Sequence, residues 1–220
     1  MRCARHPTSA AFRPASAVLP LLLCACAGAA QPAGSAAPRS SAAAQADSVR
    51  RSYTPADVSF MTRMIAHHAQ AIEMARLAPT HGASPSLGTL AERIINAQQD
   101  EIATMRQWLK DRSLPVPDPT AAMHEHAGHS ELMPGMLTAE QMRQLDAARG
   151  PEFDRLFLTL MVQHHEGALT LVRQLFSSAG AAQEGTIFKF ASDVSADQTT
   201  EVARMRRMLA AMPPETRSAR

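Results

Sequence analysis

The stretch DVSFMTRMIAHHAQAIEMAR (residues 57–76) decides the fold, because it recurs 97 positions later as DRLFLTLMVQHHEGALTLVR (residues 154–173). The chain that follows also repeats, at a shift of 100 positions, where Gln98, Glu101 and Met105 correspond to Gln198, Glu201 and Met205. Neither match needs a gap inside the segment. We therefore interpret the chain as two copies of one helical unit.

Each copy has the pattern of two helices joined by a turn. Apolar residues recur at helical spacing, and proline, glycine and capping residues mark the ends of each run. The predicted helices cover about 54–79, 86–111, 151–180 and 184–212, with a shorter helix over 137–148 that opens on the capping box Thr138-x-x-Gln141. The sequence predicts an all-α protein, an antiparallel four-helix bundle built from two duplicated αα-hairpins.

The composition excludes several classes of protein. Of 220 residues, 45% are hydrophobic and 19% charged, which is typical of a folded chain. Aromatic residues make up only 4%, which disfavours an all-β fold. A formal net charge of +2 gives no basic field for nucleic acid, so we expect no nucleic-acid partner.

The first 25 residues have the pattern of a secretory signal peptide. Arg2, Arg5 and Arg13 precede a short apolar run over 17–23, and small residues follow it. Leu23-Cys24-Ala25-Cys26 resembles a bacterial lipobox, which predicts lipidation of Cys26; the alternative is ordinary cleavage near Ala27 or Ala30. We expect a bacterial protein exported to the periplasm or anchored there as a lipoprotein, with membrane contact only through the lipid.

The expected mature chain has no thiol in its folded part. Residues 26–52 are rich in Ala, Ser, Pro, Gln and Gly and are interpreted as a flexible tether, and 213–220 as a tail. Between them lie repeat one (53–112), a linker (113–136) and repeat two (137–212). The sequence has 13 Met and 9 His beside 3 Cys, so any chemistry with a soft metal has to use methionine and histidine.

The pattern Met-x-x-His-His occurs once in each copy. Residues three and four apart share a helix face, so each Met lies over its two His residues. One His pair alone would more often be a structural feature of the core, but two pairs at equivalent positions favour a metal site. The candidate ligands are Met64, His67, His68, Met161, His164 and His165.

Glu101 and Glu201 lie on the apolar face of the second helix in each copy. A carboxylate there is costly unless it is paired or bound to a cation. It could ligate the metal directly, or accept a hydrogen bond from the outer nitrogen of a ligating histidine. Met105 and Met205 are interpreted as packing residues, and Asp57 and Asp154 as charges that stabilise helix N-termini.

The linker carries a second set of candidate ligands. His124, His126 and His129 are followed by Met133 and Met136, in a segment with too much proline and glycine for a helix. Thioether and imidazole groups on a mobile segment suit Cu(I) or Ag(I). The alternative is a polar loop without a metal.

These motifs together resemble those of a known family. The paired M-x-x-H-H segments, Q-x-x-E-I-x-x-M at 98–105 and M-P-G-M-L-T-A-E-Q at 133–141 are similar to an exported bacterial family described as CopM-like, formerly a domain of unknown function. The resemblance covers about residues 53–212. It implies a ferritin-like four-helix fold and, in some members, copper or silver binding in the cell envelope. The family's His pairs correspond to His67, His68, His164 and His165, and its Met-rich linker to Met133 and Met136.

Two other functions stay open at this point. A ferritin-like di-metal oxidase needs a Glu-x-x-His pair on each of two helices, and the predicted bundle helices contain none. A metal-free envelope scaffold would use the bundle for contact with a partner. No nucleophile and base are arranged as in a hydrolase. The sequence therefore predicts a binding protein and not an enzyme, with a copper or silver ion as its partner; a homo-oligomer is left open.

Overall fold

The computed structural model describes residues 52–118 and 132–214, and those ranges contain helices and no strand. Five α-helices are present there: α1 (Pro55–Ala75), α2 (Pro85–Asp111), α3 (Ala139–Ala147), α4 (Gly150–Ser177) and α5 (Gly185–Ala211). A short 3₁₀ helix, Ala78–Thr80, follows α1. The predicted all-α bundle is confirmed, and no predicted end of its four long helices lies more than four residues from the observed one.

Local sequence explains where the helices begin and end. Thr54 caps α1 in a capping box with Asp57, and Thr138 caps α3 in a second box with Gln141. α1 ends at Ala75, before the predicted Pro79, because proline cannot donate a helical hydrogen bond and disfavours a helical residue before it. Pro79 instead lies in the 3₁₀ helix.

The two hairpins meet through α1 and α4. Helix α1 packs on α2, α4 packs on α5, and α1 contacts α4 at the centre of the bundle. Asp57, at the start of α1, accepts a hydrogen bond of 2.8 Å from the backbone N–H of Ala182, after α4. Asp154, at the start of α4, accepts bonds of 3.1 and 3.2 Å from the N–H of Ser84, after α1. These reciprocal contacts make α1 and α4 antiparallel and give the hairpins an approximate twofold relation.

The core is divided into two apolar halves by a layer of polar side chains. One half takes residues from 71–78, 87–94, 153–161 and 202–205, and the other from 60–65, 105–109, 168–175 and 187–194. Each long helix therefore contributes to both halves and has polar residues between them. We call these residues the histidine layer: His67, His68, Gln98, Glu101, His164, His165, Gln198 and Glu201.

Across residues 52–118 and 132–214, no helix has both the length and the apolar character that a membrane span requires.

Candidate metal centre

The two predicted histidine pairs meet in the middle of the bundle. The rings of His67 and His164 have centroids 3.9 Å apart, and those of His164 and His165 are 6.2 Å apart. All four histidines, including His68, are fully buried. The structure therefore brings together the imidazoles that the duplicated motif singled out, on the facing helices α1 and α4.

His68 on α1 and His165 on α4 each contact a glutamate from the neighbouring helix of the same hairpin. Nε2 of His68 lies 2.6 Å from Oε2 of Glu101, and Nε2 of His165 lies 2.7 Å from Oε2 of Glu201. The second contact is a well-aligned hydrogen bond, whereas the first is close but less well aligned. Both glutamates are partly exposed, so their carboxylates connect the buried layer to the surface. Of the two roles predicted for them, this geometry is that of an acceptor for the outer nitrogen of a histidine.

Many buried polar atoms of the layer have no hydrogen-bond partner among the described residues. They are Nδ1 of His67 and His165, both ring nitrogens of His68 and of His164, both amide atoms of Gln98, and Oε1 of Gln198. Leaving such an atom unpaired costs about 1–3 kcal/mol. An imidazole whose Nε2–H faces an acceptor presents the lone pair of Nδ1, which is the atom that binds a metal.

Burial keeps the central imidazoles neutral. Desolvation, with the charge of His68 as the next cause, lowers the pKa of His67 from 6.5 to about 3. Desolvation followed by the charge of His67 lowers the pKa of His164 well below its ordinary value. Neutral imidazole is the form that ligates metals, so the site does not need to release a proton from these two rings at pH 7.

The methionines of the motif flank the layer from opposite sides. Met64 belongs to one apolar half and Met161 to the other, and both are fully buried. Met105 and Met205 are likewise buried, one in each half, as expected of packing residues. Within residues 52–118 and 132–214, no three His, Cys, Asp or Glu side chains are grouped closely enough to hold a metal ion between them.

The end of the linker lies against the layer. Met133 and Met136 are buried and pack on Ala66, while the carbonyl of Pro134 accepts a 3.0 Å hydrogen bond from Nε2–H of His67. The expectation of a mobile segment is therefore wrong for these residues. His124, His126 and His129 lie outside the described residues, as does Cys26.

Two buried residues that hold the chain just after the linker were missed in the sequence. Gln70 bonds the backbone of Leu137 with both amide atoms, at 3.1 and 2.8 Å. His81 bonds Thr80 through Nδ1 and the carbonyl of Asp146 through Nε2, each at 2.9 Å, and so fixes α3 to the α1–α2 turn. Gln70 could have been noticed because the repeat has Gly167 in its place, but no pattern in the sequence marks His81.

An acidic groove leads from the surface to the layer. It encloses about 600 Å³ between α2 and α5, and its lining includes Asp100, Glu101, Asp193 and Asp197. Burial, Glu101, Glu201 and Asp193 together raise the pKa of Asp197. Glu101 therefore has one side in the groove and its carboxylate against His68.

The fold and the motifs match known proteins. The sequence profile of a family described as a domain of unknown function, DUF305, matches residues 57–209. No curated protein sequence matches the chain.

Solved structures of DUF305 proteins and of CopM are also similar to this chain. A DUF305 fragment from Deinococcus radiodurans is 25% identical, with a TM-score of 0.61 over 73% of this chain and 99% of its own. A DUF305 protein from Streptomyces coelicolor, whose description proposes that it is secreted, is 26% identical, with a TM-score of 0.60 over 70% and 92%. CopM in its Cu(II)-bound form is 30% identical, with a TM-score of 0.58 over 70% and 95%. CopM has also been solved with Cu(I) and with silver.

Proposed function

The chain belongs to the DUF305 family, and from this premise we propose that it binds copper or silver ions through the histidine layer and sequesters them in the bacterial cell envelope. The observation that carries the proposal is the set of unpartnered imidazole nitrogens around His164 in a fully buried layer. A bound ion would give a partner to one nitrogen of each imidazole that ligates it, and no hydrogen bond among the described residues does so for these nitrogens. The Cu(I)-, Cu(II)- and silver-bound structures of CopM support the choice of metal.

The proposed ligands fall into three groups. His67, His68, His164 and His165 supply imidazole nitrogens, and Glu101 and Glu201 hold two of the rings through Nε2. Met133 and Met136 supply thioethers from the end of the linker, and Met64 and Met161 from either side of the layer. His124, His126 and His129 provide a further soft site in the linker.

Several features favour binding over catalysis. The glutamates of the layer contact histidines of another helix instead of forming the Glu-x-x-His motif of di-metal oxidases. The four imidazoles of the layer are fully buried, so an ion bound between them would have little room for a substrate beside it. We propose that the protein is not an enzyme.

The decisive experiment is a titration of the purified protein with Cu(I) and Cu(II) against chromophoric chelators, with metal analysis of the product. We expect stoichiometric uptake that is lost when His67, His68, His164 and His165 are replaced by Ala, in a variant whose helicity is checked by circular dichroism. The matched control is His81→Asn, which alters a buried histidine whose ring nitrogens are already bonded and should not change uptake.

Other results would support other functions. Equal uptake by the wild type and the fourfold variant would leave only the linker site, which His124, His126 and His129→Ala tests. Absence of any stable uptake would favour a metal-free scaffold. Iron uptake with oxygen consumption would favour the di-metal oxidase.

We propose, separately, that the chain is exported and lipidated at Cys26. The signal-like pattern of residues 1–25 and the lipobox support this proposal. Labelling with radioactive palmitate and sensitivity of processing to globomycin test it. Processing that is insensitive to globomycin, without label on the protein, would indicate ordinary cleavage instead.

A further inference from the structure

Residues 133–137 form a strap that lies across α1 and α4 beside the histidine layer. Met133 and Met136 are only 4% and 5% exposed and pack against Ala66 of α1. Between them, the carbonyl of Pro134 holds Nε2–H of His67. Because Ala66 is adjacent to His67 in the chain, the strap brings two thioether-bearing residues to the edge of the layer.

The strap is held at two positions that are equivalent in the repeat, residues 70 and 167. On α1, Gln70 accepts from the N–H of Leu137 and donates to its carbonyl. On α4, the equivalent residue is Gly167, and a Cβ added there would lie 2.0 Å from the carbonyl oxygen of Pro134. The strap therefore needs an amide side chain at one position and no side chain at the other.

Gly135 is the residue of the strap that lies against Gly167 of α4. Its φ of +77° is in the left-handed region, which favours glycine, and a Cβ there would lie 2.7 Å from Cα of Gly167. Two glycines from different segments thus allow the backbone of the strap to touch the backbone of α4. Any side chain at either position would move the strap outward.

The strap also makes the two halves of the layer different. Its Pro134 carbonyl accepts a hydrogen bond from Nε2–H of His67, whereas both ring nitrogens of the equivalent His164 have no partner among the described residues. Only the lone pair of Nδ1 of His67 then remains for a metal. The side of the layer near His67 is thus where sulfur and imidazole ligands can act together.

From these contacts we infer that Gly167 and Gln70 are positioning residues that set the metal preference of the site. They hold the thioethers of Met133 and Met136 beside the layer and so favour soft monovalent ions, Cu(I) or Ag(I), over Cu(II). Thioether sulfur is a soft ligand that Cu(I) accepts readily, whereas Cu(II) prefers nitrogen and oxygen. The inference rests on the proposed function, because it concerns the same site.

The test is Gly167→Ala in the full chain, with Cu(I) and Cu(II) affinities measured by chelator competition. Cu(I) affinity should fall by about 10–100-fold, the range typical of residues that support metal ligands. Cu(II) affinity should fall by less than about tenfold, since it loses only the hydrogen bond of Pro134 to His67, whereas Cu(I) also loses both thioethers. Faster hydrogen exchange at the Leu137 amide would report that the strap has been released.

The matched control is Gly88→Ala on α2. That position is also in a helix, and a Cβ added there meets nothing within 4 Å. Gly88→Ala therefore raises helix propensity as Gly167→Ala does, but it does not displace the strap. Gln70→Ala should reproduce the selective loss of Cu(I) affinity through the other attachment. Met133→Leu with Met136→Leu should do the same while the strap stays in place.

The outcomes separate this inference from the proposed function. A fall in the ratio of Cu(I) to Cu(II) affinity in Gly167→Ala, but not in Gly88→Ala, supports the inference. Equal losses for both ions, or no loss for either, would overturn it while the proposed function stands. If the wild-type protein takes up neither ion, both are wrong.

Discussion

The imidazole of His67 on α1 lies against that of His164 on α4, with ring centroids 3.9 Å apart and planes inclined at 42°. The two rings occupy equivalent positions in the repeat and meet where the helices cross. Two protonated rings at this distance would repel each other in a medium that cannot screen them. The contact therefore requires that at least one ring is neutral, which agrees with the lowered pKa of both.

The first prediction concerns the pH dependence of stability without metal. The folded-state pKa of His67 is about 3 and that of an unfolded histidine about 6.5, so the unfolded chain binds more protons between these values. The stability that the neutral ring of His67 contributes is fully present above pH 6.5 and is lost as the pH decreases towards 3. We expect a loss of roughly 1 kcal/mol per pH unit from His67, and a further loss from His164, whose pKa is also lowered by desolvation. Urea unfolding at pH 7, 6 and 5 measures it.

The control for this prediction is a variant with His67→Asn and His164→Asn. Its free energy of unfolding should depend less steeply on pH, because neither replacement titrates in this range. An unchanged slope would show that other groups cause the acid sensitivity.

The duplicated motif was enough to predict the helices and the histidine layer. A helical repeat places equivalent residues on equivalent faces. His68 and His165 lie on the apolar stripes of helices that must pack together, and His67 and His164 lie beside them on the same inner face. Glu101 and Glu201 follow for the same reason. These predictions needed only the spacing of residues within each helix.

The strap could not be predicted in the same way. Its position depends on the backbone of Gly135 meeting Gly167, a contact between segments that share no pattern. Composition marked Met133 and Met136 as soft ligands, but the proline and glycine around them indicated a mobile loop. Gly135 in the strap and Gly167 within α4 permit this contact because neither has a side chain.

The second prediction concerns the two glutamates of the layer. Glu101→Gln and Glu201→Gln should each lower copper affinity by about 10–100-fold, because an amide cannot stabilise the charge on a metal-bound imidazole as a carboxylate does. Their contacts with His68 and His165 differ by only 0.1 Å, so we expect similar losses. Chelator competition measures both.

Glu92→Gln is the matched control, since Glu92 is exposed on the same helix as Glu101. It should leave copper affinity unchanged. If the three variants behave alike, the glutamates act only through the overall charge of the protein.

The third prediction concerns the aspartates that join the hairpins. Asp57→Ala removes the capping box of α1 and leaves the N–H of Ala182 buried without its acceptor. We expect a loss of about 2–4 kcal/mol in the free energy of unfolding. Asp154→Ala should cost less, since its carboxylate accepts from the single N–H of Ser84. Urea unfolding at neutral pH gives both values.

Copper affinity serves as the internal control for these variants, because both aspartates lie at helix N-termini away from the layer. A large fall in affinity with little change in stability would contradict their structural role and point to direct metal contact.

The last prediction decides whether Met64 and Met161 ligate the metal or only pack beside it. Leucine has nearly the same volume as methionine, so Met64→Leu and Met161→Leu should each change stability by less than about 1.5 kcal/mol. If the sulfur atoms bind, Cu(I) affinity falls while Cu(II) affinity changes little. The control is Met74→Leu, a fully buried methionine further along α1 in an apolar half. Cu(I) affinities that are equal in all three variants and the wild type would assign both residues to packing alone.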